Sequence, residues 1–303
     1  MLLLYHPYFD ENPEDKENGR KTNMYNWKVM MTILFILSIF VLTYGYAQSK
    51  DVEHYHKEYT FSLAEIEEIK IVGEDTQINV IPTEGNEIRV DISGALRKNQ
   101  EPIEARQQGS LLKIERRDGW SRFFSFNLGP FNKGETVNVY INPEYHKDIH
   151  IRSVSKLVGV EALNAKNLSI DTVSGTIELR NIKCDTAKLN TVSGRVTAQN
   201  LTARESAVSS TSGDIVLSGD IGNLKGNSVS GKFEATYTNF DNSLKIDTIS
   251  GHITVTLAGA KDFSLRTNTV SGRITNEFGD TQAGNGKNAV RLGTVSGRIR
   301  VQK

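Results

Sequence analysis

Seven serines, each followed by glycine, recur along the second half of the chain: Ser174, Ser193, Ser212, Ser230, Ser250, Ser271 and Ser296. A serine on a tight turn becomes a nucleophile only with a base beside it and a third group orienting that base. No histidine recurs beside these serines, and one active site has no use for seven copies of a nucleophile. Glycoside hydrolysis needs two carboxylates within about 5–9.5 Å. Asp171 and Asp247 hold equivalent positions four repeats apart, and Glu178 and Glu234 are three apart, roughly 19 and 14 Å at the strand spacing. A pair around Asp220 or Asp241, where repeat lengths vary, stays open. His54 with His56, and His146 with His150, lack a third metal ligand. The single cysteine, Cys184, excludes an intrachain disulfide and reads as a small core residue. These residues imply no cofactor and no catalytic or metal centre. The alternative is a β-helix carbohydrate-active enzyme, a polysaccharide lyase or hydrolase.

Two groups of residues fit binding better than catalysis. The position after each glycine carries Thr176, Arg195, Asp214, Lys232, His252, Arg273 and Arg298. If the repeats stack, Arg195, Lys232, His252, Arg273 and Arg298 form one exposed basic row suited to a wall polyanion or anionic lipid. A salt-bridged, solubilising row is the plainer reading. The stretch 116–133 mixes Arg117, Trp120, Arg122, Phe123, Phe124 and Phe126, a composition suited to a membrane interface or a partner; a loop folding its aromatics onto the domain competes with it. Net charge is zero and no nucleic-acid or phosphate-loop motif occurs, which argues against nucleic-acid binding.

What must position these residues is a repeat. The serines are separated by 19, 19, 18, 20, 21 and 25 residues, and Ser153-Val154-Ser155-Lys156 is a degenerate copy 19 residues upstream. Apolar residues precede the serine by four (Ile151, Ile170, Leu189, Val208, Ile246, Leu292), with Gly226 and Thr267 as exceptions. They precede it directly (Val173, Val192, Val229, Ile249, Val270, Val295) and follow it by three (Ile177, Val196, Ile215, Phe233, Ile253, Ile274, Ile299). Ile170 and Val173 are three apart, whereas inward residues of one strand are two apart, so a bend is expected near Asp171-Thr172, with Val173 and Ile177 in phase. Short strands joined by corners at this period predict an all-β, single-stranded β-solenoid of seven to eight rungs over 151–303, about 34–38 Å long. Stacked threonine and serine rows would hydrogen-bond along the ladder. Residues 58–150 read as a β-rich cap with early rungs: Ile69–Val72, Gln77–Ile81, Glu87–Ile92, Ser110–Glu115 and Thr136–Ile141 form strands between turn signals such as Gly73-Glu74-Asp75, and Ser62–Ile69 reads as a helical turn or two. The end at Arg298–Lys303 shows no cap, which leaves self-association through solenoid ends as an expectation.

The repeated D/N-T-V-S-G-x-I pattern, with the lead-in Val137-Asn138-Val139-Tyr140-Ile141-Asn142-Pro143 and Ile149-His150-Ile151, resembles a bacterial "putative adhesin" β-solenoid family over residues 55 to 303. That family includes the LiaG-like membrane proteins of Gram-positive envelope-stress operons. The resemblance implies an extracytoplasmic, non-enzymatic role in the envelope, in stress response or adhesion, with an envelope protein among the expected partners.

Ahead of the repeat, Val29 to Tyr46 is an uncharged apolar run, short for a transmembrane helix but sufficient with tilt. Lys16, Arg20, Lys21 and Lys28 precede it, placing residues 1–28 in the cytoplasm as a disordered tail and everything after about residue 48 outside. Residues 47–57 then form a linker. A single-pass membrane anchor at 29–46 is the favoured reading. A signal peptide cleaved after Ala47, starting at Met24 rather than Met1, competes with it.

Overall fold

A computed structural model describes residues 52–97, 101–117 and 134–303. The expected tail, the apolar run 29–46, the alternative start at Met24 and the cleavage position after Ala47 lie outside the described residues. So do Trp120, Arg122, Phe123, Phe124 and Phe126. Among the described residues no helix is long and apolar enough to cross a membrane. Among the described residues the fold is all-β apart from one 3-10 turn at Leu63–Glu65, inside the stretch read as helical. The stretch read as a linker ends in a strand, Val52–Ser62.

One repeat shows how the sequence makes a coil. In Ile177–Thr191 the buried residues are Ile177 and Leu179, then Ile182 and Cys184, then Ala187, Leu189 and Thr191. Within each group the period is two; between groups it slips by one. Each slip is a corner, so a repeat makes three short faces around one core. The first corner is held by residues with positive φ, Ala162, Asn181 and Asn200 in successive coils, where asparagine tolerates the left-handed region. The third corner is the T-V-S-G tetrad. Neighbouring coils pair in parallel, residue for residue: Ile177 lies between Val158 and Val196, and Leu189 between Ile170 and Val208.

The irregular steps have local causes. The 18-residue step drops one residue at the first corner, where the register shifts between Ala198 and Leu201 and Gly219 takes the bend at φ 132°. Gly226, the exception in the apolar row, makes room for the large residue of the coil: a Cβ there would stand 2.4 Å from the Phe233 ring.

The coils do not stack in chain order at either end. Asn288–Ser296 pairs with Leu244–Thr248 on one side and Phe263–Ser271 on the other. Ile299–Gln302 lies between Ile253–Leu257 and Ile274–Asn276. The last coil of the chain is therefore internal, and the outermost coil is 263–276. This corrects the expectation of an uncapped end at Arg298–Lys303. Gln282 and Ala283 pair antiparallel with Ser264 and Phe263, and Phe278 packs edge-on against Phe263 at 4.8 Å. The N-terminal end repeats the device. Glu68–Gly73 pairs with both Leu111–Arg116 and Asp148–Ser153, and Thr76–Pro82 pairs with both Glu135–Ile141 and Val158–Thr172. An early segment thus forms a regular coil inside one made later. Glu87–Arg97 closes this end by pairing antiparallel with Glu135–Ile141, and Ile103–Gln108 by pairing antiparallel with Leu111–Arg116.

Candidate functional site

The tetrad corner is built from the threonine inward and the valine outward. Leu168, Ile170 and Thr172 stay in phase on the third face, so Thr172 enters the core, as do Thr191, Ser210, Ser228, Thr248 and Thr294. The bend lies at Val173–Gly175, not at Asp171-Thr172. Four of these hydroxyls turn the chain by accepting the amide of the glycine three residues on: Gly175 to Thr172 at 2.8 Å, Gly194 to Thr191 at 2.9 Å, Gly213 to Ser210 at 2.7 Å and Gly251 to Thr248 at 2.8 Å. Ser228 instead donates to the Ser230 carbonyl at 3.1 Å, and Thr294 to the Gly251 carbonyl at 3.3 Å. Glycine is required by the neighbouring coil. A Cβ on Gly194 would lie 1.8 Å from the Gly175 carbonyl oxygen, and one on Gly213 1.7 Å from that of Gly194.

The residue between them faces water. Val173, Val192, Val229, Ile249, Val295 and Val270 are 42–79% exposed, which corrects the expectation that they share the inward phase of Ile177. Corner hydrogen bonds set their order along the edge. The amide of Ser193 donates to the Val173 carbonyl at 2.8 Å, that of Ser250 to Val229 at 2.8 Å, and that of Ser296 to Ile249 at 2.8 Å. The result is an aliphatic ridge, one side chain per coil about 4.8 Å apart, interrupted by the exposed Thr211. A signal for it was available: the strict period of two through Leu168, Ile170 and Thr172 already assigns the inward phase to threonine. The tetrad serines sit beside the ridge, mostly exposed, and their amides rather than their hydroxyls make the regular contacts.

The post-glycine row runs alongside, with Arg298 between His252 and Arg273 because of the intercalated coil. Its charges are partly consumed. Arg195 pairs with Asp214 at 3.5 Å, and Lys232 pairs with Glu234. Asp214 accepts the Lys232 amide at 2.9 Å, and His252 Nδ1 accepts the Arg298 amide at 3.0 Å, so both act as caps between coils. Arg273 and Arg298 are exposed and carry the row's free charge.

Other candidates are dispersed. Arg117 is an exposed turn residue at the end of Leu111–Arg116. Beside it, Arg116 pairs with Glu135, which is 2% exposed and also accepts a hydrogen bond from the Tyr55 hydroxyl at 2.5 Å. Burial holds the Glu135 carboxyl above the usual range, opposed by Arg116. His56 approaches Asp91 at 3.4 Å, His146 contacts Asn164 at 3.2 Å and His150 approaches Glu68 at 3.9 Å; among the described residues no group of three ligands gathers. Cys184 is buried, and desolvation pushes its thiol up to about 12. Asp171 and Asp247 stand four coils apart in register.

A family model described as Toastrack DUF4097 matches residues 66–302. No curated protein matches. Solved structures that resemble the chain include a "putative lipid binding protein" from Parabacteroides distasonis, 17% identical, with a TM-score of 0.44 over 84% of this chain and 98% of that one. A "putative adhesin" from Parabacteroides merdae is 14% identical, with a TM-score of 0.41 over 83% and 97%. A "putative cell adhesion protein" from Clostridium sporogenes is 14% identical, with a TM-score of 0.30 over 82% and 99%.

Proposed function

The chain belongs to the Toastrack DUF4097 family, and on that footing we propose that it is a non-enzymatic binding module of the cell envelope, tethered to the membrane by the apolar segment 29–46. The observation that carries this reading is the aliphatic ridge. A folded domain gains nothing by lining up six Val and Ile side chains in water, four of them (Val229, Ile249, Val295 and Val270) on consecutive coils, and exposed apolar rows mark contact surfaces. The ridge's occupant is an envelope protein with an apolar stripe of its own. The neighbouring basic row favours this over a polyanion or lipid headgroups, because Arg195 and Lys232 are already paired within the fold. A setting in envelope stress, of the LiaG-like kind, or in adhesion is part of the proposal and rests on the tetrad resemblance.

The test uses the full-length protein in its own membrane. Val192→Asn, Val229→Asn and Ile249→Asn together should leave folding intact and abolish stoichiometric co-purification of an envelope protein. Undiminished co-purification, or release of reducing ends or unsaturated products from glycans by the wild type, would overturn the reading. Sequencing the mature N-terminus tests the tether: a chain beginning at Gln48 contradicts it.

A further inference from the structure

The outward residues of the third face form rows across the coils, and one row is basic. Lys225 pairs in register with Lys245, Lys245 with Arg291, and Arg291 with Arg266. All four are exposed. They occupy consecutive coils, so four cations span roughly 14 Å at the strand spacing. Arg291 reaches its place between Lys245 and Arg266 only because the last coil is intercalated. Toward the N-terminal end the row is broken: Ala207 separates Lys225 from Lys188, and Ser169 separates Lys188 from His150, before Lys70 and Lys113 follow.

Many cations elsewhere on the surface meet an acid on their own or an adjacent coil, as Arg195 does Asp214 and Lys147 does Glu67; this row has few such partners. In the four-coil stretch Lys245 alone has an ion-pair partner, Asp247 at 3.1 Å. Asp241 at the edge of the face is held by Lys287 at 3.5 Å and Asn288 at 2.9 Å. The flanking rows are otherwise neutral here: Asn223, Ser243, Ala289 and Ser264 on one side, Asn227, Gly293 and Asn268 on the other. Toward the N-terminal end the flanks turn acidic at Glu205, Asp171 and Glu68. Like charges directly opposite on paired strands destabilise a sheet, so the ladder costs stability when bare.

A groove of about 430 Å³ runs along it, lined by Lys225, Lys245 and Arg291, by Asn223, Ser243 and Ala289, and at one end by the carboxylate Glu205; Arg266 lies one coil beyond the lining. We propose that this groove is a binding site for a linear polyanion laid across the coils, its charged groups meeting Lys225, Lys245, Arg291 and Arg266 in turn. The small residues of the neutral row leave room for the polymer backbone, and the ladder supplies charge at a fixed repeat. The proposal rests on the register of the third face and does not depend on the ridge reading.

The test titrates the full-length protein in nonionic detergent with poly(glycerol phosphate), with polygalacturonate as the carboxylate polymer and with uncharged dextran. Binding of either polyanion at 0.05 M salt, without dextran binding, is expected. Affinity should fall roughly 50-fold by 0.2 M salt as about four contacts exchange with counterions. A preference for the phosphodiester or the carboxylate polymer identifies the source. The variant Lys225→Gln, Lys245→Gln, Arg266→Gln, Arg291→Gln should bind at least about tenfold more weakly and melt at a higher temperature, as like-charge repulsion is relieved. The double variant Lys245→Gln, Arg291→Gln gives the same reading with half the charge removed. Neutralising Arg273 and Arg298 should change neither property. Wild-type affinity in the quadruple and double variants, an equal loss in the Arg273 and Arg298 variant, or no polyanion binding at low salt would overturn the proposal.

Discussion

Gly194 and Gly213 hold the tetrad corner because the carbonyl of the coil before occupies the space a side chain would need. Gly194→Ala should therefore cost about 3 kcal/mol. Gly159→Ala, where the nearest atom to a Cβ is Asn79 Oδ1 at 3.5 Å, should gain about 0.5–1 kcal/mol by stiffening the unfolded chain. Urea denaturation of both variants checks the contrast. Thr191→Val keeps the shape but leaves the buried Gly194 amide without its acceptor, costing about 1–3 kcal/mol. A second residue-scale prediction concerns Glu135. Its folded pKa is raised by burial, so it contributes stability while protonated and loses that contribution as pH rises through the folded value. Arg116→Met removes the partner of the buried carboxylate and should cost about 3–5 kcal/mol at neutral pH. That penalty should shrink as pH falls and Glu135 takes up a proton, which melts followed across pH would show. The sequence announced glycine and serine as corner residues. It misassigned the valines because their β-branched character fits a strand interior, whereas the deciding signal was the alternation running through threonine.

Between elements, stacking in parallel at one residue per position was legible from the period alone, since a 19-residue unit with three apolar groups cannot bury them by itself. The order of stacking was not. Consecutive elements usually neighbour each other in space, and nothing in 288–302 differs in kind from the other repeats. The 25-residue step before Ser296 is the trace that remains, because the chain needs extra length to turn back past Phe278 and enter the slot beside Leu244–Thr248. Intercalation makes the end cooperative. In a solenoid stacked in chain order, removing the last coil exposes one neighbour; here, deleting 288–303 separates 263–276 from Leu244–Leu257 as well. Hydrogen exchange of this truncation should show 263–276 losing protection together with the deleted coil's contacts, while Ile177–Ser210 keeps its own. Retained protection in 263–276 would contradict the intercalated order.

For the molecule as a whole, surfaces were harder to read than the core. The post-glycine row was visible because its members share one offset from the repeated glycine. The third-face ladder was not, because register alone aligns Lys188, Lys225, Lys245, Arg291 and Arg266, and the swap of coils inverts the last two relative to the chain. The apolar segment 29–46 and the aromatic stretch around Trp120 lie outside the described residues. The stretch leaves the described residues after Arg117 and rejoins them at Gly134, between two strands whose inner neighbours, Glu68–Gly73 and Thr76–Pro82, are joined by the short corner at Glu74-Asp75. The ridge is where the account is most exposed to test. Photo-activatable residues at Val192 and Ile249, introduced into the full-length protein in intact envelopes, should crosslink to one discrete envelope protein. The same residues at Thr197 and Thr254 on the first face should not. Equal crosslinking from both faces, or crosslinks to lipid alone from the ridge, would contradict a dedicated protein-binding edge.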